Sequence, residues 1–116
     1  MASYKSILIG VSSMFKRKKE KDIHEECWNL DATFIRWLNE HLKVFREDAS
    51  KCIDMGYHKF EYDGETVPFK DLLDKLIDLT DEFIKVQDEN WLDESLDDLK
   101  EDIMSIFNTI FWCLWW

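Results

Sequence analysis

"YHKFEYDGETVPFKDLLDKL", Tyr57 to Leu76, changes its hydrophobic period halfway along, and that change decides the fold. In its first half Phe60 and Tyr62 alternate with polar residues, Asp63 and Gly64 form a two-residue turn signal, and Thr66 and Val67 suit a returning strand. In its second half Pro68 fits the first position of a helix, where its missing N–H would be unpaired in any residue. Phe69, Leu72, Leu73, Leu76 and Ile77 then follow at steps of three and four. A two-stranded ribbon is not stable alone in water, so the hairpin must lean on helices.

Upstream of the hairpin, Cys27, Leu30, Phe34, Trp37, Leu38, Leu42, Phe45, Ala49, Cys52 and Ile53 keep helical spacing. This predicts a first helix from Ile23 to about Met55, roughly 50 Å long at 1.5 Å per residue unless Asn29 to Asp31 interrupts it, with Gly56 as its stop. Downstream, the second helix continues through Leu79, Phe83, Ile84 and Val86 to near Gln87, and "DENWLDES" makes the turn. A third helix from about Asp93 carries Leu96, Leu99, Ile103, Ile106, Phe107, Ile110 and Leu114, with Asp93, Glu94, Asp97 and Asp98 near its positive end. Short connections make neighbouring helices antiparallel.

The expected fold is therefore mainly α: an up-down-up three-helix arrangement with a short β-hairpin between helices 1 and 2. One helical domain over 23–116 follows a flexible basic segment over 1–22, and a start at Met14 would make the first thirteen residues an optional extension. The topology returns the end of the third helix to the hairpin, within reach of Tyr57, Phe60 and Tyr62. It places the basic segment at the other end, beside Asp88, Glu89, Asp93 and Glu94.

Among 116 residues there are 25 acidic against 15 basic, a formal net charge of −10; residues 1–22 carry six basic and two acidic groups, +4, leaving −14 for the rest. So acidic a body repels phosphate backbones, which excludes direct binding to nucleic acid. Cys27, Cys52 and Cys113 are odd in number and widely spaced, the pattern of free thiols in a cytoplasmic chain. The stretch Ile7 to Phe15 lacks the flanks of a signal peptide. The run from Ile103 to Trp116 falls short of the ~20 apolar residues a membrane span needs.

No nucleophile elbow, phosphate loop or zinc-protease motif is present, so no enzyme activity and no catalytic residue is expected. His24, Cys27, Cys52 and His58 contain zinc-ligand types, but an unbroken helix between the two cysteines would hold them roughly 37 Å apart. Neither metal nor cofactor is therefore expected, and the basic run Phe15 to Lys21 reads as a soluble tail rather than a membrane contact.

Two features point instead to a partner. "FWCLWW", Phe111 to Trp116, has rings large enough for at least one to cap the hairpin, but its adjacent final tryptophans cannot both face inward on a regular helix, which leaves an indole of Trp112, Trp115 or Trp116 for a partner. Asp71, Asp74, Asp78 and Asp81 line one side of the second helix, and Glu94, then Asp97 or Asp98, then Glu101 form a similar row on the third. From Pro68 onward there are 13 acidic residues against four lysines, whereas solvated faces ordinarily mix signs. The bland reading is a solvated face; the sharper one is a nucleic-acid mimic for a basic protein surface.

"WNLDATFIRWLNEHLKVF", Trp28 to Phe45, resembles small acidic proteins of unassigned function encoded by bacteriophages and related mobile elements. The resemblance rests on Trp28, Leu30, Asp31, Phe34, Trp37, Leu38, Leu42, Lys43 and Phe45, together with the aromatic end. It implies a phage-type accessory protein acting in a bacterial cytoplasm and supplies no activity. The expected function is a non-enzymatic protein that binds a host protein with a basic surface and inhibits a nucleic-acid-handling or defence factor. The alternative is a self-associating structural protein, a homo-oligomer closed by its exposed tryptophans.

Overall fold

A computed structural model describes residues 23–115. The expected basic segment 1–22, its position beside the acidic turn, and Trp116 lie outside the described residues. The chain divides into two units, Met1–Thr33 and Phe34–Trp116. In the first, residues 23–27 are helical and 28–29 form a turn, where the Trp28 N–H reaches the Glu25 carbonyl at 3.2 Å. Helix α1, Leu30–Ser50, starts there, with Asp31 Oδ1 accepting the N–H of Ala32 at 2.8 Å.

The remaining elements are strands β1 (Lys59–Tyr62) and β2 (Glu65–Pro68), helices α2 (Phe69–Glu89) and α3 (Ser95–Ile110), and a 3-10 turn over Phe111–Cys113. The chain is mainly helical with one antiparallel hairpin. The expected first helix is split at 28–29, so the hairpin follows the second helical stretch rather than the first. That helix also ends at Ser50, short of Gly56. Lys51, Cys52 and Ile53 still donate backbone hydrogen bonds to Asp48 and Ala49, but Asp54 then turns its own Oδ1 to the Gly56 N–H at 3.0 Å. An aspartate that offers the backbone this local partner competes with helical hydrogen bonding.

The hairpin register pairs Phe60 with Val67 and Tyr62 with Glu65. Asp63 and Gly64 both take positive φ, 53° and 77°, the left-handed pair a tight hairpin turn requires. Pro68 is one residue earlier than expected: it is the extended last residue of β2 and precedes the helix, with φ −65° and ψ 150°. It offers α2 no side-chain cap. The loop before the hairpin supplies one instead, because the N–H groups of Phe69 and Lys70 donate to the carbonyls of His58 (2.8 Å) and Met55 (3.0 Å). These two bonds anchor the start of α2 to the segment after α1.

Pairs between α1 and α2 run in opposite order along the two helices: Arg36 with Asp88, Asn39 with Thr80, Lys43 with Asp81 at 2.8 Å, and Arg46 with Asp74 at 2.9 Å. The two helices are antiparallel. Each ion pair is partly exposed and is worth only about 0–1 kcal/mol, so the series sets register more than stability. Phe34, early in α1, meets Phe107, late in α3, edge to face with centroids 6.0 Å apart. Hence α3 does not run in register alongside α1.

The core of the second unit is built from Ile35, Leu38, Leu42 and Ala49 of α1, Phe69, Leu72, Leu73, Leu76, Ile77 and Phe83 of α2, and Leu96, Ile103, Ile106 and Ile110 of α3. The inward face of α1 keeps the expected Leu38, Leu42 and Ala49, with Phe34 and Phe45 half-buried, and differs at its edges. Ile35 is inside, whereas Trp37 is 52% exposed and lies on the His41 ring, centroids 4.0 Å apart. Cys52 and Ile53, read as helix core, are exposed in the loop.

Candidate functional site

The 3-10 turn after α3 and the loop after α1 meet at the first turn of α2. There Ile53, Asp54, Tyr57, His58, Phe69, Trp112, Cys113 and Trp115 line an open cleft of about 520 Å³. Three local structures shape it. The Asp54 turn, closed by the Gly56 N–H and by the Tyr57 N–H on the Asp54 carbonyl (3.1 Å), presents Asp54 and Tyr57 together. The Met55 and His58 carbonyls tie this loop to α2, where Phe69 forms the floor. On the opposite wall the 3-10 turn swings Trp112 and Cys113 out of the α3 line. The Trp115 indole N–H donates to the Trp112 carbonyl at 2.9 Å, which satisfies its one polar group within the wall.

The expected approach of the terminal indoles to Tyr57 is therefore present for Trp112 and Trp115. Phe60 and Tyr62 are not part of the cleft: Phe60 packs on Phe69, centroids 6.3 Å apart, and Tyr62 lines a separate recess with Asp63, Lys75, Asp102 and Ser105. The rings do not bury one another. Trp112 is 80% exposed, Trp115 71% and Tyr57 76%.

The acidic row on α2 is divided by the packing. Asp71 and Asp78 are exposed, but Asp74 binds Arg46 and Lys70, and Asp81 binds Lys43 and Asn39. On α3, Asp97, Asp98 and Glu101 are exposed, with Lys100 3.5 Å from Asp97. Asp93, before α3, accepts the Ser95 hydroxyl and N–H at 2.7 and 2.8 Å, and these bonds hold its carboxyl below the usual range. Sequence reasoning missed Asp54. The spacing Asp54-x-Gly56 directly after a helical pattern is the signal that marks it as a turn former.

For Asp81, burial pushes the carboxyl up, but hydrogen bonds from Lys43 and Asn39 and the Lys43 and Arg46 charges outweigh it, and the net direction is down. A depressed folded value stabilises the fold fully above the unfolded value of about 3.9, and that contribution is lost as pH falls through the folded value. Asp81→Asn is therefore expected to flatten the acid limb of stability. In urea titrations from about pH 5 downward, the gap between native and variant should close; a constant gap would show that Asp81 does not titrate with unfolding.

The three cysteines are free thiols, Cys27 and Cys52 exposed and Cys113 half-buried. Among the described residues no group of His, Cys, Asp and Glu could hold a metal ion, and no helix is long and apolar enough to cross a membrane. No family model, no curated protein and no solved structure matches the chain.

Proposed function

We propose that this is a non-catalytic binding protein of the bacteriophage type, which engages a basic surface on a host protein of nucleic-acid handling or defence in the bacterial cytoplasm. The aromatic end is the contact surface. The observation that carries this reading is the exposure of Trp112 and Trp115 around a formed cleft, since large indoles left in water beside a concave apolar surface are what partner hot spots are built from. The 3-10 turn after α3 supports it, because it sets both indoles beside the loop after α1. The acidic flank has the lesser role. Asp74 and Asp81, half of the α2 row, already serve α1, so a phosphate-like row is reduced to Asp71 and Asp78 with the carboxylates of α3.

The test is capture from a bacterial lysate by the full chain and by the W112A/W115A variant, at low and high salt. Because both rings are exposed, the double variant is expected to change stability by no more than about 0.5 kcal/mol and to keep its helical circular dichroism. It should nevertheless lose the captured partner. Retained capture that disappears in high salt and competes with DNA would move the contact to the carboxylates and refute the aromatic reading.

A second reading, self-association, is favoured by one observation. His41, Trp37, Phe34, Phe107, Phe111 and Trp112 form an unbroken series of ring contacts across α1 and α3, with centroids 4.0 to 6.2 Å apart. Trp37 and Phe111 in that series are about half exposed, at 52% and 48%. Sedimentation at two concentrations decides it, and a strict monomer removes it.

A further inference from the structure

We propose that the cleft at the aromatic end is a socket for an arginine side chain of the partner protein, with its guanidinium set against the Asp54 carboxylate and the ring walls. The inference rests on the reading of the aromatic end as the contact surface and names what that surface takes. The lining combines two classes of group that recognise a cation together. Tyr57, Phe69, Trp112 and Trp115 supply π-systems, and Asp54 supplies the carboxylate. A ring face attracts a cation through its quadrupole, best of all when the ring is indole. A carboxylate beside it accepts charge-assisted hydrogen bonds.

Arginine fits better than lysine on physical grounds. The guanidinium is planar, stacks on aromatic faces, presents a fork of donors to a carboxylate, and is more weakly hydrated than an ammonium. Its three-carbon stem suits the apolar remainder of the cleft, Ile53 and Phe69. The body of the protein adds to this. A formal charge of −10 raises the local concentration of basic partners around a site whose own carboxylate is already aimed by the Gly56 N–H. Arg46 and Lys70, which share a second recess with Asp54, are both engaged with Asp74, so they do not fill the cleft themselves, and His58 stands in its lining.

The test needs no partner. N-acetyl-arginine amide is titrated into the full chain at low salt while the indole N–H signals of Trp112 and Trp115 are followed by NMR. N-acetyl-citrulline amide, of the same shape without the charge, and N-acetyl-lysine amide are titrated alongside. Saturable shifts are expected with arginine, with citrulline about ten-fold weaker and lysine several-fold weaker. Asp54→Asn keeps an oxygen for the Gly56 N–H and is expected to weaken arginine about five-fold while leaving citrulline unchanged. Tyr57→Leu, at an exposed position, gives a second variant with the same expected direction. Equal binding of citrulline, parity of lysine, an unchanged Asp54→Asn, or no saturable shift with arginine each overturns the socket. A missing arginine response together with partner capture that still depends on Trp112 and Trp115 would refute the socket and leave the contact surface standing.

Discussion

Phe69→Ala is expected to lower the free energy of unfolding by about 3–5 kcal/mol, the range for deleting a buried phenylalanine. The ring is 2% exposed and stands where three parts of the second unit converge. It meets Phe45 of α1 at 6.4 Å and 87°, meets Phe60 of β1 at 6.3 Å and 55°, and forms the floor of the cleft. Removing it leaves a void that neither the short hairpin nor the tied loop can fill without breaking the bonds that the Phe69 and Lys70 N–H groups donate to His58 and Met55. A domain of this size has only about 5–15 kcal/mol in hand, so the variant should lie close to unfolding. Equilibrium urea denaturation measures the loss, and amide exchange at Phe60 and Val67 shows whether the hairpin goes first. Phe69→Leu, which keeps most of the volume, should cost less than about 1.5 kcal/mol. A loss below about 1 kcal/mol for the alanine variant would mean that the hairpin does not depend on this ring for its footing.

The second large effect is at a polar pair inside the α1–α2 contact. Asn39 Nδ2 donates to Thr80 Oγ1 at 2.8 Å and to Asp81 Oδ1 at 2.9 Å, while the Thr80 hydroxyl donates to the Ile77 carbonyl at 2.8 Å. Asn39 is 5% exposed and Thr80 is fully buried. Thr80→Val keeps the shape but removes the acceptor, leaving one Asn39 N–H without a partner and away from water. The expected cost is about 1–3 kcal/mol. In the double variant Asn39→Leu/Thr80→Val the stranded donor is gone too, so part of that loss should be recovered, with a coupling energy of about 0.5–3 kcal/mol. Strictly additive single losses would show that the pair sets no more than local packing. Unlike the exposed ion pairs beside it, this bond lies where water cannot substitute for it, and it ties the register of α1 to that of α2.

Much of the architecture was legible because it follows from local rules. Asp63-Gly64 between alternating aromatics specified the hairpin, since only residues tolerant of positive φ make so tight a turn. The steps of three and four from Phe69 to Phe83 specified α2, and nearly all of its apolar positions are buried or half-buried. The antiparallel run of α1 and α2 agrees with the expected course, and Trp112 meets Tyr57 at the cleft as expected. What periodicity could not show was which residues at the edges of the α1 stripe turn inward: Ile35 does and Trp37 does not. That helix carries Phe34, Ile35, Trp37 and Leu38, apolar residues on more than one side, and each side offers a plausible stripe. Thr80 was missed for a related reason: a hydroxyl satisfied by Asn39 and Ile77 buries as readily as a methyl, but no hydropathy pattern marks it.

The candidate site divides along the same line. Its two indoles and Tyr57 were named from the sequence, because aromatic residues on a returning helix end must meet whatever stands at that end. The state of those rings was not. Whether they cap the hairpin or face water depends on where the Asp54 turn and the 3-10 turn set the two walls, and the first of these is placed by bonds from the N–H groups of Phe69 and Lys70, more than ten residues on. Likewise the carboxylates of α2 form one row in the sequence, yet Asp74 and Asp81 differ from Asp71 and Asp78 because Arg46, and Lys43 with Asn39, approach them from another helix.

By itself, then, the order of residues determined what short-range stereochemistry and solvation control: helical stretches, a hairpin, a strongly acidic body and an aromatic end. Tertiary structure alone decided the burial of Ile35 in place of Trp37, the pairing of Asn39 with Thr80, the division of the acidic row, and the opening of a cleft around exposed indoles. The reason is that these depend on which groups meet across tens of residues, where one helix turned by a single position exchanges a core side chain for a surface one.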